Sequence, residues 1–375
     1  MTDFKPQFNS DSYFVVDNDK IFYSKLRAIE AVGGDMSRIH FSWMEDLWST
    51  VDWTIEPQVS WNELLRIRCQ QIRDKYDYVA LWYSSGYDSH TILRSFVDNN
   101  ILLDELLIFD RSEFFTDPEV EIALNHAKYI KQTYYPHLKI NLVHVSHKSL
   151  SNYYLRHGSD WIYHTGGVLK LGKTTRYFCT MELPEFMESI AEINRGDIMG
   201  IDKPKVLLRD NCWYAFCTDG NLCDYAGSKQ ENFYWSPQLP ELHLKQVHMV
   251  ISWFESLHNL TEDLVHDVQG RNRTINKELH ELYYKPWNIG MGRLPMYYSH
   301  EYSRNGNHKL YSHMNSEYSP DFLSYYNHIK NSDNKIFKIY NDSLLQARRY
   351  DTPETGQLVE KTLLSKQYYI RPRFF

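Results

Sequence analysis

Six consecutive residues, Ser84-Ser85-Gly86-Tyr87-Asp88-Ser89, combine types and spacing suited to gripping an anion. Small residues let a chain turn tightly, so that successive backbone N–H groups converge on one point. A helix starting beside the turn adds the positive end of its dipole. The serine hydroxyls supply further donors. Asp88 alone would repel a phosphate, and its presence points to a Mg2+ ion bridging carboxylate and phosphate. A Walker-type loop is excluded, because its lysine and its wider glycine spacing are both missing. An ordinary serine-rich turn between strand and helix is the competing interpretation.

The surrounding residues dictate where this hexapeptide must sit. Tyr78-Val79-Ala80-Leu81-Trp82-Tyr83 is almost wholly apolar, as expected of a strand covered on both faces in a parallel sheet. A helix over 89–98 follows, then a strand over 106–109, a helix over 117–133 opening on Asp117-Pro118, and a strand over 140–145. A helix near 181–194 leads to strands over 197–201 and 205–208. This alternation predicts an α/β fold, a doubly wound and mostly parallel sheet whose ligands lie at the carboxyl ends of its strands. Ahead of it, strands over 13–16 and 21–23 flank a turn at Asp17-Asn18-Asp19, and a helix over 24–32 stops at Gly33-Gly34. Ser60, with Glu63 three residues on, has the pattern of a capping box opening a further helix. Beyond 235 the pattern is mainly helical, over 241–258, 261–268, 274–284 and 338–349. The expected organisation is an α+β segment over 1–75, an α/β domain over 76–235 and a helical region over 236–375.

Taken with this placement, the hexapeptide resembles the SGGxDS signature of the PP-loop ATP pyrophosphatases, which include the synthetase domain of asparagine synthetase, GMP synthetase and the sulfonucleotide reductases. The family's first glycine is Ser85 here. The resemblance implies an adenine nucleotide α-hydrolase-like fold, with ATP and Mg2+ as cofactors. It also implies cleavage between the α- and β-phosphates: AMP passes to an acceptor oxygen of a carboxylate, amide or base carbonyl, and ammonia or an amine then displaces it. Ser84, Ser85, Gly86, Tyr87, Asp88 and Ser89 would hold the pyrophosphate end. Gly200-Ile201-Asp202-Lys203-Pro204-Lys205 follows a predicted strand, where asparagine synthetase-like members place a second acid and a lysine. By that resemblance Asp202 shares the metal with Asp88, and Lys203 or Lys205 stabilises charge on the reacting phosphate. The chemistry agrees, because a departing pyrophosphate needs preorganised cations in a dry cleft; a charged turn before a proline is the plain alternative. Asp110, closing the second strand, would border the adenosine or serve as an ordinary loop acid, with Arg111 and Glu113 as weaker candidates. The arrangement also resembles asparagine synthetase-like proteins often carried by tailed phages, over roughly 60–260.

Other segments carry weaker signals. Thr165-Gly166-Gly167 and Gly172-Lys173-Thr174-Thr175-Arg176 would lie above the strand ends, holding acceptor or triphosphate, or would simply be solvated. Cys179, Cys212, Cys217 and Cys223 match no common metal-finger spacing and are better explained as buried thiols. No Cys follows Cys223, which weakens a sulfonucleotide reductase-like alternative. Residue 2 is threonine and few residues precede the loop, so an N-terminal glutaminase domain is not expected.

Composition bounds the rest. The 375 residues are 42% hydrophobic, 15% aromatic and 24% charged, which excludes disorder and a disulfide-dense miniprotein. No apolar run is long enough to span a bilayer, no signal peptide is legible, and five irregularly spaced cysteines suit a reducing cytoplasm, that of a host if the gene is phage-borne. Net charge is −7, yet residues 283–375 hold 13 Lys and Arg against 8 Asp and Glu. That basic, tyrosine-rich tail could contact a nucleic acid or pack on an acidic body. Three functions follow: an AMP-forming synthetase, a nucleotide-sensing or reductase-like protein on the same fold, and a nucleic-acid-modifying or nucleic-acid-binding protein using the same ATP site.

Overall fold

A computed structural model describes residues 12–110, 112–113, 118–144, 146–164, 194–200, 204–219, 230–269, 330–331, 334–354, 358 and 361–374. The chain opens on β1 (Ser12–Val16) and β2 (Lys20–Phe22), an antiparallel hairpin whose turn residues Asp17 and Asn18 take positive φ. Helix α1 (Lys25–Ala31) ends at Gly33 and Gly34. At Gly34 a side chain is barred twice, by a φ of +92 and by the Tyr350 Cβ, which an added Cβ would approach to 2.9 Å. Strand β3 (Ile39–Trp43), not expected from the sequence, pairs antiparallel with β1, and the short helix α2 (Glu45–Trp48) follows.

Helix α3 (Trp61–Lys75) starts where expected. The Ser60 hydroxyl accepts the Glu63 N–H at 3.3 Å, but the Glu63 carboxylate turns forward to Arg66 at 2.6 Å, so only half of the anticipated capping box forms. Strand β4 (Tyr78–Trp82), helix α4 (Tyr87–Asp98), β5 (Glu105–Asp110), α5 (Pro118–Thr133), β6 (Lys139–His144), α6 (His147–His157) and β7 (Arg195–Met199) then alternate. The hairpin of β8 (Lys205–Arg209) and β9 (Cys212–Phe216) comes next, followed by β10 (Gln230–Asn232), α7 (Pro240–Glu255), α8 (Glu262–Gln269), α9 (Asn334–Ala347) and β11 (Tyr368–Pro372).

Five of these strands form one sheet in the order β10-β7-β4-β5-β6, every pair parallel. The chain builds outward from β4 through β5 to β6, then returns to place β7 on the other side of β4. In open α/β sheets ligands bind outside the carboxyl ends of the strands at such a reversal, which here falls between β4 and β7. The α/β expectation therefore holds at the level of a parallel sheet flanked by helices.

Two departures concern sheet membership. The strand expected over 205–208 is β8, which leaves the parallel sheet and pairs antiparallel with β9; β11 completes that sheet in the order β11-β9-β8. The C-terminal region, expected to be helical, thus ends in a strand. Periodicity marks a strand but cannot name a partner some 150 residues away.

Two apolar cores result. One packs Val79, Leu81, Leu106 and Ile108 of the parallel sheet against α3, α4 and α5 through Leu64, Ile72, Phe96 and Ile130. The other joins the N-terminal sheet, the β8–β9–β11 sheet, α6, α7, α8 and α9 around Trp43, Trp48, Trp161 and Trp213. Helix α7 serves both, with Leu242 in the first core and Leu244, Val247 and Ile251 in the second. A fully buried ion pair, Lys25 Nζ to Asp219 Oδ2 at 2.5 Å, ties α1 to the segment after β9.

At the amino ends of the parallel strands lies a buried charged seam. Arg195 reaches Glu105 and Asp197, each at 2.9 Å. Glu231 binds Arg68 and Lys75 at 2.6 Å and accepts from the Tyr76 hydroxyl at 2.7 Å. Burial raises the Asp197 carboxyl to about 6 despite Arg195.

Candidate active site

The hexapeptide lies at the carboxyl end of β4, beside the point where the strand order reverses. Strand β4 ends at Trp82, Tyr83 keeps the ladder through its N–H to Leu107 O at 2.8 Å, and the chain then bends through Ser84, Ser85 and Gly86 into α4. Ser85 makes the bend. It is fully buried, at φ +56, and its hydroxyl donates to the Ser84 carbonyl at 2.6 Å. A left-handed residue is needed here to turn a strand sharply into a helix, which is a physical reason for glycine in the signature. The sequence supplies serine, and the hydroxyl contact partly offsets the strain.

Ser89 laces the bend shut. Its hydroxyl accepts the Ser84 N–H at 3.2 Å, meets the Ser84 hydroxyl at 3.3 Å and donates to Gly86 O at 3.4 Å. Gly86 is the N-cap residue of α4 and brings no side chain of its own to cap it. Ser84 is exposed, whereas Gly86, Tyr87 and Asp88 are half-buried. The bend thus brings a helix N-terminus, small residues and serine oxygens together at the carboxyl end of the central strand. An oxyanion is the ligand those groups suit.

The two segments singled out in the sequence meet here. Gly200, immediately after β7, lies against α4: an added Cβ would stand 3.1 Å from the Asp88 Cβ and 3.3 Å from the Ser89 backbone nitrogen. On the same side the Tyr234 hydroxyl donates to the Asp88 carbonyl at 2.7 Å. Beneath the bend, the Tyr83 hydroxyl shares a hydrogen bond of 2.5 Å with His126 Nδ1 and lies 3.5 Å from His90 Nδ1. Burial pushes both imidazoles down to about 4, with the neighbouring Arg94 adding to the effect at His90 and His90 itself at His126.

Other sequence candidates lie elsewhere. Asp110 ends β5 with both carboxylate oxygens engaged, one accepting the Ser112 N–H at 2.9 Å and the other 2.8 Å from His144 Nδ1. Glu113 accepts the His147 N–H at 2.9 Å. Lys205 opens β8 opposite Phe216, in the antiparallel sheet. Asp202, Lys203, Arg111, the Thr165–Gly167 and Gly172–Arg176 segments, Cys179 and Cys223 lie outside the described residues. Cys69 and Cys217 are buried free thiols and Cys212 is half-buried. In the basic tail, Arg371 pairs with Glu255 at 2.6 Å and Lys338 pairs with Asp342.

Sequence reasoning missed Tyr83, His90, His126 and Tyr234 at this site. Tyr83 and His90 flank the hexapeptide and could have been noticed from adjacency alone. Tyr234 is distant in sequence and has no local signal.

Among the described residues no group of three or more His, Cys, Asp or Glu side chains is arranged to hold a metal by itself. One carboxylate beside a bend suited to an anion would fit Mg2+, which is ordinarily held by one or two carboxylates together with substrate phosphates. Among the described residues no helix is long and apolar enough to cross a membrane. Compared with known protein families and with curated proteins, the chain matches none.

Proposed function

We propose that this chain is an ATP-dependent, AMP-forming synthetase of the PP-loop type, asparagine synthetase-like and built on an adenine nucleotide α-hydrolase-like sheet. The observation that carries the proposal is the serine-laced, left-handed bend at the carboxyl end of β4, set at the sheet's reversal point and pressed against Gly200. Ser84, Gly86, Ser89 and the amides opening α4 grip the pyrophosphate end of the nucleotide. Asp88 and Asp202 would hold Mg2+, which neutralises phosphate charge when bound. By the resemblance, Lys203 would stabilise the charge that grows on the leaving pyrophosphate; Lys205 is the weaker choice, because it opens β8 in the antiparallel sheet. An acceptor oxygen takes the adenylyl group, and ammonia or an amine displaces AMP.

ATP labelled at the α-phosphorus tests this directly. Incubation with Mg2+ and candidate carboxylate, amide or nucleobase acceptors is expected to yield AMP and pyrophosphate; ADP and phosphate as the sole products would refute the proposal. Asp88→Asn is expected to lower turnover at least about a hundredfold while the melting temperature stays near that of the parent, since a half-buried residue adds little to the core. Unchanged turnover would remove Asp88 from the metal site.

A further inference from the structure

We infer that Tyr234 is a positioning residue for the nucleotide site, its hydroxyl fixing the first turn of α4 so that Asp88 is held in place against Gly200. The inference rests on the PP-loop reading for its functional consequence, but its structural content stands apart from that reading.

The geometry is specific. Tyr234 follows β10 at the carboxyl end of the sheet, where Phe233 N–H continues the ladder to Met199 O at 3.2 Å. The residue is wholly buried, and its ring lies parallel to that of Trp61 at 6.4 Å. Its carbonyl accepts the side-chain amide of Gln246, itself buried on α7, at 2.8 Å. Its hydroxyl reaches across the sheet end to the Asp88 carbonyl at 2.7 Å. A run of contacts therefore extends from α7 through Tyr234 to α4.

That carbonyl is a well-chosen point of attachment. A first-turn carbonyl has two lone pairs, and the helical i→i−4 bond uses one of them. A second donor fixes the peptide plane without competing with the helix. Gly200 meets the same residue from β7, with only 3.1 Å between an added Cβ and the Asp88 Cβ. Asp88 is thus restrained from both strands on the far side of the reversal point, β7 and β10. Loss of this partly buried hydrogen bond loosens the first turn where it joins Gly86, whose backbone is in the β region.

Tyr234→Phe removes the hydroxyl and keeps the ring. Amide hydrogen exchange over Ser89–Leu93 is expected to accelerate about fivefold to tenfold in the variant, with the exchange of α3 and β5 unaltered. Unchanged exchange in that turn overturns the positioning role, and this arm needs no ligand. The second arm measures ATP affinity with Mg2+ and again with EDTA. Affinity is expected to fall about fivefold to tenfold with Mg2+ and to change little with EDTA, because the restraint acts through the metal-binding residue. An equal loss under both conditions overturns action through Asp88. A parent protein that binds no ATP in either condition refutes the PP-loop reading and leaves the exchange result to judge Tyr234. Should Tyr234→Phe fold poorly, Gln246→Met removes the donor that anchors the Tyr234 backbone without burying a charge, and the same selective loss of protection is expected; its absence counts against the relay.

Discussion

Ser85 carries the conflict between conformation and chemistry at this site. A serine at φ +56 costs about 1 kcal/mol relative to a right-handed residue, and only glycine adopts that geometry freely. Replacement by glycine relieves the strain but restores freedom to the unfolded chain and deletes the bond to Ser84 O. Ser85→Gly is therefore expected to lie within about 1 kcal/mol of the parent in urea unfolding and, on the proposed function, to keep ATP affinity. Ser85→Val places a β-branched side chain in the left-handed region at a buried position. It is expected to lose about 2 kcal/mol and, on the proposed function, all nucleotide binding. A valine variant as stable as the parent would mean that the bend is not held as described. The hexapeptide was legible because its residue types have few other uses together; the strain was not, since φ is set by where the two flanking elements end.

At the scale of elements, the bend is carried by β4, α4 and α5, and their packing makes stability depend on pH. His90 and His126 have folded pKa values near 4, below the 6.5 of an exposed imidazole, so the native state resists protons that the unfolded chain accepts. Their contribution is complete above pH 6.5 and is lost as pH falls toward 4. Asp197, raised to about 6 from 3.8, acts oppositely: its native form takes a proton first, so its burial penalty fades as pH falls from 6. Two imidazoles against one carboxyl leave a net loss on acidification, with a slope of about 1.4 kcal/mol per pH unit between pH 6 and 4. Urea melts at pH 7, 6, 5 and 4.5 check this, and His126→Asn should flatten the curve; a parent whose stability is constant over that range contradicts it. At α3, Ser60→Ala is expected to cost about 1 kcal/mol through the lost cap to Glu63, with no change in nucleotide binding. That cap could be anticipated from two residues. The turn of Glu63 toward Arg66 could not, because both side chains are exposed and solvent leaves little to decide between the two partners.

For the whole molecule, the joint between chain segments remote in sequence matters most. Lys25 and Asp219 are 1% and 0% exposed, so neither charge can find water if its partner is removed. Lys25→Met is expected to destabilise by about 3 kcal/mol or more, and combining it with Asp219→Asn to recover a large part of that loss. Additive losses in the double variant would show that the pair is not coupled. The same long-range logic explains β10. Its three residues, Gln230–Asn232, look nothing like a buried strand, yet Glu231 lies inside because Arg68, Lys75 and Tyr76 surround it. Polar strands of this kind are invisible to hydrophobic periodicity, because the partners that make burial tolerable come from other elements.

Local residue order was enough to determine the apolar run of β4, the turn-forming hexapeptide, the helix behind it and the β–α alternation, since each depends on contacts within a few residues. The tertiary structure alone decided that β7 returns to the flank of β4, that Gly200 and Tyr234 close on Asp88, and that residues 205–209 join a different sheet from their neighbours. Those outcomes depend on which buried surfaces and unpaired strand edges find each other across more than a hundred residues. That selection is made by the free energy of the assembled molecule, which no short window of sequence contains.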